Sequence, residues 1–135
     1  MYKKILVPVA FDHRPNTGVA MEVARKLLSE GGRIVALHVM ETMPGYIEHY
    51  IPPEHVREAR DAAKASLVAE IGGVKDVETE LLEGPPGATI TDYARDHDVD
   101  CIVIASHKPG LTDYLLGSTA ARVVRHAPCS VHVVR

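Results

Sequence analysis

The chain has 135 residues, the size of one domain, and 46% of them are hydrophobic, enough to bury a core. Its net charge of -3 advertises no basic surface for nucleic acid. No apolar run approaches the roughly 20 residues that a membrane helix needs.

The N-terminus "MYKKILVPVA" starts basic, but its apolar run is short and soon reaches Pro8, so it reads as a first strand rather than a signal peptide. Residues 17–31 follow as a helix, with Ala20, Val23, Ala24, Leu27 and Leu28 spaced i, i+3, i+4, i+7, i+8. Pro15 and Asn16 start it, and Gly31-Gly32 is its expected stop. "RIVALHVM" is the second strand. After it comes the one long irregular piece, residues 41–53, "ETMPGYIEHYIPP", a length usually kept for function or interaction. A helix over 53–71 closes at Gly72-Gly73, and "VETELLE" alternates as an edge strand does. A helix over 88–97 places Ile90 and Ala94 on one face, and "CIVIAS" is the fourth strand. The last helix, 118–127, turns Ala120, Val123, Val124 and Ala127 inward and Arg122 and Arg125 outward, before Pro128 stops it and "SVHVVR" ends the chain as a fifth strand.

Strands and helices alternate strictly, which predicts an α/β fold with an open parallel sheet and helices on both faces. The strand runs other than "VETELLE" are dense in Val and Ile without alternation, as strands covered on both faces are. In such sheets ligands bind beyond the carboxyl ends of the strands, where the strand order reverses. With the first strand central, that crevice lies between strands one and four, facing "PVAFDHRPN" and "ASHKPGLTDYLLGST". Gly117-Ser118-Thr119 opens a helix whose free N–H groups and dipole suit an anion. Lys108 adds a charge, and His107 a donor. The same three residues are also an ordinary helix start, and neither G-x-x-x-x-G-K-[ST] nor G-x-G-x-x-G occurs. The residues alone leave both readings open.

Several segments, in order, resemble the universal stress protein family: "KKILVPVA", "IVALHVMET", "EGPPGATITDYA" and "DCIVIASHKPGLTDYLLGSTAARVVRHAPCSVHVVR". The resemblance implies one Rossmann-like (adenine nucleotide alpha hydrolase-like) domain over residues 1–135, with strand order 3-2-1-4-5, usually as a homodimer. It also implies ATP, with magnesium, as the ligand of a subset of members. Adenine would meet Pro8, Val9, Ala10 and Val39. Phosphates would meet Ala105, Ser106, His107, Lys108, Gly110, Gly117, Ser118 and Thr119. Two departures stand out. Ala10 replaces the Asp usual in ATP-binding members, and the first glycine of their loop is Ala105, with the loop one residue short. A dimeric interaction module that has lost the nucleotide is the alternative.

Other features carry less. His49 and His55, near Glu48 and Glu54, read as surface histidines rather than a metal site. His38 and His132 read as core-edge residues, and His97 with Asp96, Asp98 and Asp100 as a solvated helix end. Asp12 and His107 are the obvious acid–base pair, and nothing in the sequence joins them, so efficient catalysis is not expected. A phosphoacceptor receiver lacks its acidic cluster after strand one. A flavodoxin lacks its phosphate loop there. Cys101 and Cys129 stand outside any C-x-x-C pair, as reduced thiols of a cytosolic protein do.

Overall fold

The Val- and Ile-rich runs form a single parallel sheet in the order β3-β2-β1-β4-β5. This is a computed structural model, and it describes residues 1–11, 14–71, 76–106 and 117–135. The strands are β1 (Tyr2–Pro8), β2 (Leu28–Met40), β3 (Val77–Glu83), β4 (Cys101–Ala105) and β5 (Ser130–Val134). The helices are α1 (Arg14–Leu27), α2 (Gly45–Glu48), α3 (Pro53–Glu70), α4 (Pro86–Asp96) and α5 (Ser118–His126).

Burial explains the order. Ile5, Leu6 and Val7 of β1 are 0% exposed, so β1 needs cover on both faces and sits at the centre. On one face Ile5, Val7, Ala36 and Val103 pack with Ala20 and Ala24 of α1 and Leu67 of α3. On the other, Leu6, Leu37 and Ile102 pack with Ile90 and Ala94 of α4 and Ala120 and Val123 of α5. Each Val, Leu or Ile among them contributes about 1.5–3 kcal/mol when fully buried.

The first helix ends at Leu27, earlier than the Gly31-Gly32 signal suggested. The competing interaction is pairing with β1. Tyr2 aligns with Leu28 and Lys4 with Arg33, so a bulge on β2 stands opposite Lys3. Gly31 adopts φ +78° in that bulge, and a Cβ on Gly32 would approach the Lys3 carbonyl to 2.9 Å. These glycines build the bulge instead of capping the helix.

Three further expectations are corrected. Val124 is 46% exposed, because α5 rests on Ala120 and Val123 and leaves Val124 on its outer flank. The helix expected over 88–97, α4, starts at Pro86, two residues early, because a proline at the first helical position needs no N–H partner. Asp100 is not a solvated helix end. Its carboxylate accepts the N–H groups of Lys3 at 2.9 Å and Lys4 at 3.0 Å, which ties the start of β1 to β4.

Candidate functional site

Parallel pairing of β1 with β4 covers Ile5–Cys101 and Leu6–Ile102 and then stops, whereas β1 stays paired with β2 as far as Pro8. The cause is local. Val9 donates to the Leu37 carbonyl at 2.8 Å, so the N–H groups of β1 alternate and position 8 faces β4. Proline has no N–H to offer there. The two strands therefore part at their carboxyl ends, where the strand order reverses.

A cavity of about 720 Å³ occupies this opening. Ligand pockets run from about 300 to 1,000 Å³. Its floor is the end of β1, through Pro8, Val9, Ala10 and Phe11. Leu37 to Met40 of β2, with Glu41 just beyond the strand, form one side, and Ile104, Ala105 and Ser106 with Gly117, Ser118 and Thr119 form the other. Thr17, Ala63, Pro86, Ile90 and Ala120 complete the lining. Nine residues named from the sequence thus share one cavity: Pro8, Val9, Ala10, Val39, Ala105, Ser106, Gly117, Ser118 and Thr119. His107, Lys108, Gly110 and Asp12 lie outside the described residues.

Gly117 sets the direction of α5. It sits at the N-cap with φ 82° and ψ 154°, a conformation open essentially to glycine alone. The first helical bond runs from Ala121 N–H to the Gly117 carbonyl at 3.0 Å. The amides of Ser118, Thr119 and Ala120 precede it and have no acceptor within the helix. They and the helix dipole make this end of the cavity attractive to an anion. Ser106 is buried, and both its N–H and its hydroxyl donate to the Val134 carbonyl, at 2.9 and 3.4 Å. Its oxygen is left chiefly as an acceptor.

The opposite end differs. Among the described lining residues Glu41 is the one carboxylate, and the wall beside it is apolar. The cavity thus has an anion-attracting end at α5, an apolar middle and an acidic rim at β2.

One pair was not found from the sequence. The rings of Phe11 and His38 stack at 4.0 Å with 22° between their planes. His38 Nδ1 lies 2.7 Å from the Val9 carbonyl. A carbonyl only accepts, so the proton is on Nδ1. This contact fastens the end of β1 to β2. The signal was available in part, since Phe11 lies within "PVAFDHRPN", the segment read as facing the crevice. His49 and His55 are exposed, and among the described residues no group of three or more His, Cys, Asp or Glu could hold a metal.

The model of the universal stress protein family matches residues 1–135. A universal stress protein of Methanocaldococcus jannaschii is 31% identical over 147 aligned positions, covering 100% of this chain and 83% of that one. The solved universal stress protein UspA of Lactobacillus plantarum superposes with a TM-score of 0.70 at 27% identity, over 99% of this chain and 98% of the other. Two more distant structures share the fold. The Arabidopsis thaliana family member with AMP bound has TM-score 0.60 and 24% identity, over 98% and 90% of the two chains. The Archaeoglobus fulgidus protein in complex with dAMP has TM-score 0.60 and 21% identity, over 99% and 98%.

Proposed function

The chain belongs to the universal stress protein family, and from that premise we propose that its cavity binds an adenine nucleotide, with ATP as the ligand in the cell. The observation that carries this reading is the pairing, in one cavity, of an apolar wall with three helix-end amides that have no acceptor within their own helix. The base lies against Pro8, Val9, Ala10 and Val39. The phosphates lie over Gly117, Ser118 and Thr119 and the segment from Ala105 and Ser106 to Gly110, with His107 and Lys108 as further donors. Glu41 disfavours the reverse orientation, because it would repel phosphate. Relatives solved with AMP and dAMP support the class of ligand.

The described phosphate end offers amides and hydroxyls rather than carboxylates, so magnesium would be carried on the phosphates and not held by the protein. The same composition favours binding over turnover, and the role is regulatory in a stress response. Hydrolysis runs well below about 1 per second, the lower range of ordinary enzymes.

Residues 1–135 form one domain that acts in the cytosol as a homodimer. Two free cysteines suit a reducing compartment. No described helix is long and apolar enough to cross a membrane. Dimerisation uses β5, an edge strand whose Val134 carbonyl faces β4 by accepting from Ser106. The alternation of a strand then turns the N–H and C=O groups of Val131 and Val133 outward, available to a second β5 across a two-fold axis.

The test is extraction. Acid extract of freshly purified protein is expected to contain adenine nucleotide, and stripped protein to take ATP up again. Neither adenine in the extract nor uptake would leave the alternative, a dimeric interaction module without nucleotide.

A further inference from the structure

Residues 41–50 connect the end of β2 to the approach of α3 without burying any side chain. Backbone bonds from Ile47 and Glu48 to Pro44, from His49 to Gly45 and from Tyr50 to Ile47 nevertheless hold a helical turn here. At about 100° per residue, Tyr46, Ile47 and Tyr50 fall within one side of that turn, with Met43 just before it. Tyr46 is 72% exposed and Tyr50 87%. An ordered cluster of Tyr, Ile and Met in water is the composition of a protein-binding surface rather than of a solvated loop.

Charge identifies the kind of partner. Residues 41–59 contain Glu41, Glu48, Glu54 and Glu58 against the single cation Arg57. This stretch therefore carries a net -3, which is the net charge of the entire chain, and the rest is balanced. We propose that the 41–59 segment is a docking surface for a basic amphipathic segment of another protein, whose apolar side covers Tyr46, Ile47 and Tyr50 and whose lysines or arginines meet the glutamates. A second copy of this chain would set -3 against -3. An anionic membrane surface would be repelled in the same way.

The test uses the full chain and a labelled helical peptide with one leucine face and one lysine face, about five turns long. Fluorescence anisotropy at about 0.1 M salt is expected to show saturable binding that weakens as salt rises. The double variant Tyr46→Ser/Tyr50→Ser is expected to bind at least about tenfold more weakly, as loss of aromatic anchors does. Glu54→Gln/Glu58→Gln should weaken binding too, and a leucine–glutamate peptide should not bind. All four side chains are exposed, so unfolding midpoints should match the parent. Unchanged affinity in the tyrosine variant would overturn the proposal, as would equal affinity for the acidic peptide. Tyrosine-dependent self-association in sedimentation, or tyrosine-dependent binding to phosphatidylglycerol vesicles without peptide binding, would overturn it in favour of the other occupants.

Discussion

Replacing Gly117 by alanine isolates one physical effect. Among the described residues, a Cβ placed there meets nothing closer than the Ser106 carbonyl at 3.9 Å, an ordinary contact, so crowding contributes little. The cost comes from the backbone, which must hold φ 82° and ψ 154° with a side chain attached. Such conformations cost about 1–3 kcal/mol. With an unfolding entropy of roughly 2.1 cal/mol/K per residue, a chain of this size loses about 4–11 °C in Tm. Gly18→Ala is the control. Gly18 lies in α1, is exposed and, among the described residues, has nothing within 4 Å of an added Cβ. There alanine should gain about 0.5–1 kcal/mol and raise Tm by about 2–4 °C. Thermal melts followed by circular dichroism read both. A Gly117→Ala protein that melts with the parent would refute the argument that this backbone is reserved for glycine. If the turn relaxes instead, the Ser118–Ala120 amides are redirected, and nucleotide affinity should fall even where stability is recovered.

Four further outcomes are expected. Cys101 is buried and its thiol is pushed up to about 11, by burial first and then by the nearby Cys129 and Asp100; burial also raises Cys129, which is only half-buried. A thiol reagent near neutral pH should label Cys129 slowly and Cys101 only on unfolding, as mass spectrometry of the labelled protein would show. Because the folded state favours the protonated Cys101, its contribution to stability is intact below the ordinary value of 9.0 and is lost as pH rises through about 11, which urea titrations across that window would detect. Asp100→Ala removes the acceptor of two N–H groups and should cost about 1–3 kcal/mol in denaturant unfolding. Val133→Pro deletes an outward N–H of β5 while leaving the side facing β4 its donors, so it should convert the proposed dimer to monomer in sedimentation; a parent that is strictly monomeric at tens of micromolar would refute the seam itself.

Much of the fold was legible because hydrophobic spacing reports burial directly. The Val–Ile runs became strands within a few residues of where they were read, and β3 and β5 became edges. The misreadings share a cause. Gly31-Gly32 and Asp100 have sound local meanings, as a helix stop and as a solvated end, but each answers to a partner far away in sequence, Lys3 in the one case and Lys3 with Lys4 in the other. Val124 failed because periodicity gives a helix face only to within a position. The cavity was legible through the rule for strand ends, which brought Val9, Val39, Ser106 and Gly117 together from four separate segments. The Phe11–His38 stack was not, since nothing local ties a residue after β1 to one within β2.

The central claim is a nucleotide in that cavity, and isothermal calorimetry of stripped protein with Mg-ATP tests it most directly. Saturable heat at one ATP per chain is expected, together with a rise in Tm; ATP at 100 times Kd would add about 2.7 kcal/mol of stability. No heat and no thermal shift at millimolar ATP would contradict it.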